Sequence, residues 1–154
     1  DESKVAGFPR LQDGDLIIAD ASEDYDGVGV AVEVGNIHNR NAVAGLHTLL
    51  LREKRSTFAP GFKGYIQYMP AVRSQLIKIA TGVSVYSISK GNLAEVSIPV
   101  PSLEEQCAIT VVLSDMDTVI KVLESRRDKI SVLKQGMMQE LLTGRIRLVQ
   151  GAEA

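Results

Sequence analysis

The chain of 154 residues has a single cysteine, no tryptophan and few aromatic side chains of any kind. One cysteine cannot form a disulfide within the chain, and such scarcity is typical of a reducing compartment, so we expect a cytoplasmic location. The low aromatic content argues against a stacking platform for single-stranded nucleic acid. No apolar run is long enough to span a membrane and no signal-peptide pattern is present, so no membrane partner is predicted.

The sequence also lacks the motifs that carry most enzyme chemistry. The Gly-Val-Gly segment at 27–29 is only a fragment of a phosphate-binding loop, and it precedes a predicted strand instead of a helix. Cys107 has no identifiable base near it in sequence, which favours a buried or half-buried structural thiol. His38 and His47 have no cysteine or carboxylate at ligand spacing, so a zinc site is not predicted. We therefore expect no catalytic residues, no metal and no cofactor.

One acidic stretch comes near to a calcium-binding loop. Asp24, Asp26, Gly27 and Glu33 fall at the required spacing, but Ser22 occupies the place of the first ligand. The flanking residues are predicted strands, whereas that motif lies between helices. The pattern favours an acidic hairpin turn over a metal site.

The basic residues are unevenly distributed along a chain of net charge −2. Residues 36–90 contain eight basic and one acidic side chain, whereas residues 1–35 contain two basic and nine acidic ones. Because phosphate attraction is local at physiological salt, this segment can present a basic face to DNA, although a solvated surface gives the same composition. The segment also contains Asn39, Gln67, Arg73 and Lys78. The predicted DNA-binding residues are Arg40, Asn41, Arg52, Lys54, Arg55, Lys63, Ser84 and Lys90.

The hydrophobic patterning predicts short strands followed by helices. Apolar or alternating runs predict strands at 16–19, 28–34, 46–51, 83–88 and 96–100. Pro70 is suited to the first position of a short helix, and Gly82 follows that helix as a stop signal. The predicted fold class is α+β or α/β, with a small mixed sheet in front of a helical C-terminal third.

The C-terminal third is predicted to form a helical hairpin. Ser102 and Glu105 form a capping box that starts a first helix, and a longer helix follows and ends at Thr143-Gly144. Apolar residues recur along the longer helix at heptad spacing, interrupted at Arg126 and Arg127. Such a stripe is too exposed for a lone domain, so we expect it to pack against another polypeptide. The predicted protein-interface residues are Ile120, Leu123, Arg127, Ile130, Lys134, Met137 and Leu141.

These motifs resemble the specificity subunit of type I restriction-modification enzymes, over nearly the whole chain. The strongest matches are Ile98-Pro99-Val100-Pro101, Leu103-Glu104-Glu105-Gln106, Ile109, Leu113, Asp117, the run from Leu133 to Gln139, and Leu141-Leu142-Thr143-Gly144. Weaker matches are Gly14-Asp15-Leu16-Ile17-Ile18, Arg73-x-Gln75-Leu76, Ala80-x-Gly82, Ser84 and Ile88-Ser89. One departure is Val83, which stands where the family often has Thr or Ser.

The resemblance implies a target recognition domain followed by a long spacer helix that forms an antiparallel coiled coil. Residues 1–97 would be a partial recognition domain, residues 98–149 the conserved helical spacer or dimerisation region, and residues 150–154 a disordered tail. In that family each recognition domain reads one half of a split DNA target, and the helices dock methyltransferase subunits. The chain would then be a non-catalytic component of a methyltransferase and endonuclease complex.

The implied partners are double-stranded DNA and methyltransferase subunits. Restriction subunits and self-association through the C-terminal helix stay open. Such subunits usually have two recognition domains and two helices, and this chain has one of each, so we expect a C-terminal fragment or a half-subunit. Two other interpretations also stay open: the recognition domain of a single-chain restriction-modification enzyme, and a structural helical adaptor without DNA contact.

Overall fold

The structure, a computed structural model, describes residues 7–38 and 40–149. The chain divides into two compact units, one that ends at Val111 and one that begins at Val112. The predicted tail at 150–154 and the predicted polar residue Asn39 lie outside the described residues. The proposed division of roles at residue 97 stays a prediction.

The first unit contains two small antiparallel sheets. Strand β1 (Leu16–Ala19) lies between β3 (Ala31–Glu33) and β4 (Thr48–Leu51), and β2 (Ala21–Ser22) pairs with β5 (Tyr86–Ser87). The described strand pairs are all antiparallel, so in this detail the sheets differ from the mixed sheet of the prediction.

The alternating valines from 28 to 34 form a shorter strand than predicted. Gly29 has a φ of +76°, a left-handed conformation that favours glycine, and it breaks the alternation at that point. Val28 is therefore fully buried, whereas Val30 and Val32 are exposed and Ala31 faces the core. The predicted strand begins only at Ala31.

In the described part of the chain before residue 103 there are also three short helical segments. A 3₁₀ helix covers Phe62–Tyr68, α1 covers Pro70–Ile79 and α2 covers Lys90–Ala94. Pro70 occupies the first turn of α1, as predicted. The sequence patterns gave no sign of the 3₁₀ helix. The buried core consists of Val28, Ala59, Phe62, Ile66, Val72, Leu76 and Ile88.

At two places a glutamine side-chain amide forms the pair of backbone hydrogen bonds that a neighbouring strand would otherwise form. The Gln67 amide accepts a hydrogen bond from the Ala31 N–H at 2.8 Å and donates to the Ala31 carbonyl at 2.5 Å. Gln75 pairs with Ser97 in the same two-way manner, each bond being 2.9 Å long. The predicted strand at 96–100 is therefore wrong: its backbone pairs with a side chain, and Pro99 has no N–H for a ladder.

The C-terminal third is one continuous helix, α3, which covers Leu103–Leu142. The α+β class with a long C-terminal helix is confirmed, but the predicted hairpin is not formed, because no glycine or proline interrupts the sequence between its two predicted helices. The Ser102 hydroxyl accepts from the Glu105 N–H at 3.3 Å, as the predicted cap requires. Gly144, with a φ of +73°, follows the end of the helix.

Cys107 is exposed, so its prediction as a buried thiol is wrong. Its neighbour Gln106 is the fully buried residue of this first turn. Because Gln106 is polar, the apolar pattern of the sequence did not predict that its side chain would be buried.

Candidate nucleic-acid interface

Most of the predicted DNA-binding residues lie at one end of the three-stranded sheet. Leu16 at the start of β1 pairs with Glu33 at the end of β3 and with Leu51 at the end of β4. The segments before β1, after β3 and after β4 therefore emerge from the sheet together. The predicted residues on or against these segments are Arg40, Asn41, Arg52, Lys54, Arg55 and Lys63.

Arg52 forms a bidentate ion pair with a buried carboxylate. Its Nε and Nη2 atoms each lie 2.7 Å from one oxygen of Asp15, which is only 2% exposed. Nη2 also donates to the Arg10 carbonyl at 2.7 Å. The hydrogen bonds from Arg52 lower the pKa of Asp15 and raise the pKa of Arg52 itself. This guanidinium is therefore engaged in joining β4 to the turn before β1.

Lys63 is buried between two carboxylates. Its Nζ lies 3.1 Å from Glu53 Oε2 and 3.8 Å from Glu33 Oε1. Glu33 also accepts the N–H of Gly61 at 2.9 Å and the N–H of Gly64 at 3.3 Å. The Lys63 charge is thus balanced within the domain, which leaves little of it for a phosphate.

The basic loop, residues 53–59, presents two exposed cations that form no ion pair with other described residues. The Glu53 carboxylate accepts the N–H of Thr57 and, at 3.1 Å, that of Phe58. Burial alone would raise the pKa of Glu53, but those N–H groups and Lys63 together lower it, so the carboxylate stays charged. Lys54 and Arg55 are exposed on the loop that this carboxylate closes.

Arg40 and Asn41 lie on a second loop at the same sheet end. Both are exposed, and the Arg40 N–H donates to the Ile37 carbonyl at 3.1 Å. The next residue, Ala42, accepts from the Leu11 N–H at 2.9 Å. Because Leu11 precedes β1, this bond holds the second loop beside the start of β1.

Ser84 and Lys90 are attached to the opposite end of β1. The Asp20 carbonyl, one residue after β1, accepts from the Ile88 N–H at 2.8 Å. Ser84 lies in the exposed turn closed by the Thr81 and Ser87 bridge, and Lys90 is the exposed first residue of α2. These two residues are therefore attached at the end of β1 opposite to the one that carries Arg40, Lys54 and Arg55.

The second unit presents exposed apolar residues along α3. At 3.6 residues per turn they share one face of the helix, from 41% to 65% exposed, and we name this set the apolar stripe. The apolar stripe consists of Val112, Met116, Val119, Ile120, Leu123, Ile130, Leu133 and Met137.

Four residues of the apolar stripe are missing from the predicted interface set. Val112, Met116 and Val119 extend the face because α3 is continuous from Leu103, whereas the prediction started a new helix after the first. Leu133 lies within the longer predicted helix and adds a further residue to the same face. Of the predicted set, Arg127 and Lys134 are exposed and Leu141 is half-buried. A search for spacings of three and four across the whole segment would have found the longer face.

The described residues contain neither a metal-binding cluster nor a membrane-spanning helix. No group of three or more His, Cys, Asp or Glu side chains there could hold a metal ion. In the acidic stretch, Asp24 instead accepts the Gly27 N–H at 2.6 Å and closes a turn. No helix in residues 7–38 and 40–149 has both the length and the apolarity to cross a membrane.

Comparison with known proteins identifies a family and two archaeal relatives. Residues 52–132 match the model of the type I restriction modification DNA specificity domain, more than half of the chain. A specificity subunit of provisional assignment, MjaX of Methanocaldococcus jannaschii, is 32% identical over 135 residues, 87% of this chain and 31% of that protein. The type I restriction enzyme MjaVIII specificity subunit of the same organism is 26% identical over 151 residues, 96% of this chain and 35% of that protein. The chain thus spans about a third of the length of these curated relatives.

Proposed function

This chain belongs to the family of type I restriction modification DNA specificity domains, and from that premise we propose that it is a DNA sequence recognition component of a restriction-modification complex. The unit that ends at Val111 reads one half of a bipartite target, and α3 docks methyltransferase subunits. The chain itself carries out no chemistry. Since its target is DNA, we propose that it acts in the cytoplasm.

The observation that supports this proposal best is the extent of the family match. The matched range, 52–132, contains the basic loop and most of the apolar stripe. A DNA-reading loop and a protein-binding helix are the two parts that a specificity component needs. Both lie in the part of the chain that is similar to the family.

The proposed DNA contacts are fewer than the predicted ones. Lys54 and Arg55, with Arg40 and Asn41, are exposed at one sheet end and are available to phosphates and base edges. Arg52 and Lys63 support that surface through their ion pairs, and we do not propose that they touch DNA. Ser84 and Lys90 form a second proposed contact near the other end of β1.

The proposed protein contacts of α3 follow from its apolar stripe and from its charges. An apolar stripe on a solvated helix is satisfied by a partner helix. The helix begins with an acidic part and continues with a more basic one, so two copies in antiparallel orientation would match opposite charges. We propose methyltransferase subunits and a second copy as partners of this face, and restriction subunits as further members of the complex. The acidic part contains Glu104, Glu105, Asp115 and Asp117. The more basic part contains Lys121, Arg126, Arg127, Lys129 and Lys134 against Glu124, Asp128 and Glu140.

Co-purification tests the proposal. The full chain is produced with the methyltransferase subunit encoded beside it, the complex is isolated, and its binding to duplex DNA is titrated at several salt concentrations. We expect a stable complex whose affinity for DNA falls steeply with salt. A complex that forms but protects no DNA would favour the structural adaptor instead.

A further inference from the structure

One fully buried amide in the first turns of α3 forms two of its three hydrogen bonds with the basic loop. Gln106 Oε1 accepts the Ala59 N–H at 2.8 Å, and Nε2 donates to the Thr57 carbonyl at 3.2 Å and to the Pro101 carbonyl at 2.9 Å. The side chain is 0% exposed. A buried amide with these partners fixes the loop backbone, because each bond would leave an orphaned polar group if it broke.

The same loop is held from its other side by Glu53. That carboxylate accepts a hydrogen bond from the Thr57 N–H, while the Gln106 amide donates one to the Thr57 carbonyl. Thr57 is thus bonded in both directions across the loop. Between Glu53 and Thr57 lie Lys54 and Arg55, whose side chains are exposed.

The segment that follows the basic loop also lies directly against α3. Gly61 has a φ of +83°, and a Cβ there would come within 2.9 Å of Thr110 Cγ2. Ile109 packs against the core that contains Ala59 and Phe62. The first turns of α3 and residues 57–61 therefore form one closely packed structure within the first unit.

We propose that Gln106 is a positioning residue for DNA recognition, which fixes the basic loop to the start of α3 and so sets the position of Lys54 and Arg55. This inference rests on the proposed function. A loop fixed before binding does not have to be ordered when DNA binds, and the loss of that ordering step raises affinity. Sequence patterning could not assign this role, since it depends on bonds across 47 and 49 residues.

Two substitutions of Gln106 test the inference in the full chain assembled with its methyltransferase subunit. Gln106→Met has similar volume and no hydrogen-bonding group, and we expect faster amide hydrogen exchange at residues 57–59 and an affinity for duplex DNA about tenfold weaker, because the loop must then be ordered on binding. Cys107→Ser, an exposed neighbour on the same turn, is the control and should change neither quantity.

Gln106→Glu adds a readout that a merely structural role would not move. Above its pKa, which burial and the two facing carbonyls raise, the new carboxylate repels the Thr57 and Pro101 oxygens; once protonated it donates to one of them again. We expect the ratio of variant to wild-type affinity to recover as pH falls from about pH 8 to about pH 5.5. The charged groups of the neighbouring segments, Glu53 and Lys63, are the same in both proteins, so their effect cancels in the ratio.

Failure of the inference and failure of the proposed function give different results. If the wild-type complex binds no duplex DNA, the proposed function is wrong and the inference falls with it. If the wild type binds, and Gln106→Met binds equally well despite faster exchange in the loop, the inference alone is overturned. Should Gln106→Met fail to fold, an affinity ratio for Gln106→Glu that stays constant with pH overturns it.

Discussion

A basic residue in this sequence can serve either the fold or a partner, and only its contacts decide between the two. Arg52 and Lys54 are two positions apart, but Arg52 is bonded to the buried Asp15 whereas Lys54 is exposed on the basic loop. The one acidic residue of segment 36–90, Glu53, closes that loop and pairs with Lys63. Composition predicts a basic surface, but the ion pairs of Arg52 and Lys63 leave fewer cations available for a partner than the composition suggests.

The ion pair at Asp15 predicts an acid dependence of stability. The pKa of Asp15 is lowered in the folded state, so its stabilisation is present above the ordinary value of 3.8 and is lost as pH falls through the folded value. We expect Asp15→Asn to reduce the free energy of unfolding at neutral pH by about 1–3 kcal/mol, since Arg52 loses its charged partner.

Urea denaturation at a series of pH values measures this effect. Between pH 3.8 and lower values, the Asp15→Asn curve should fall less steeply than the wild-type curve. Asp26→Asn, at an exposed turn residue, makes the same change in charge and serves as the control. Equal acid slopes for Asp15→Asn and wild type would show that the ion pair contributes nothing to folding.

The exposed cations of the basic loop predict a change in the salt dependence of DNA binding. Substitution of Lys54 and Arg55 together by alanine removes two exposed charges that form no ion pair with residues 7–38 or 40–149. For the complex with methyltransferase, we expect weaker binding and a salt slope shallower by about 2, because each phosphate contact contributes about 0.9.

The matched control removes two exposed cations from other segments. Lys78 and Arg147 are exposed and lie outside the proposed contacts, so their double alanine variant should keep the wild-type salt slope. If both double variants flatten the slope equally, DNA is attracted by total charge and not by the basic loop.

At the scale of elements, the sequence correctly predicts boundaries that depend on local capping signals. It does not predict those that depend on hydrogen bonds between distant residues. Pro70 correctly predicts the start of α1. Ser102 correctly predicts the start of α3 and Gly144 its end, because capping depends on neighbours in sequence. The predicted strand at 96–100 does not form because the Ser97 N–H donates to the Gln75 side chain instead of to a neighbouring strand. No local pattern in the sequence reveals this bond. The resemblance predicts the family and the helix, but it could not separate supporting cations from exposed ones.

The apolar stripe of α3 predicts a defect in assembly without a defect in folding. Leu123 and Leu133 are 58% and 65% exposed, so changing both to glutamine should leave the thermal unfolding of the isolated chain nearly unchanged. The same change should abolish co-purification with the methyltransferase subunit, because the partner's apolar surface would then meet polar groups.

Val132 provides the control for this prediction. It is a 72% exposed apolar residue of α3, and at 3.6 residues per turn it lies on the face opposite the apolar stripe. Changing it to glutamine should leave co-purification intact. Loss of the complex in both variants would mean that the helix binds its partner through no particular face.

For the whole molecule, the division into two units corresponds to two proposed tasks. The unit that ends at Val111 contains the basic loop and the sheet that supports it, and the unit that begins at Val112 contains the apolar stripe. The proposed positioning contact at Gln106 belongs to α3 but lies within the first unit. In the proposed account a single helix therefore takes part both in presenting the DNA-binding loop and in binding other subunits.

The most direct test of sequence recognition is a map of methylated sites. The full chain is assembled with its methyltransferase subunit, the complex is incubated with genomic DNA and a methyl donor, and the modified bases are located by sequencing. We predict modified sites that share a fixed half-target sequence, repeated in inverted orientation at constant spacing when two copies of the chain pair. Methylation with no shared sequence, or the same set of sites when the chain is left out, would contradict the account.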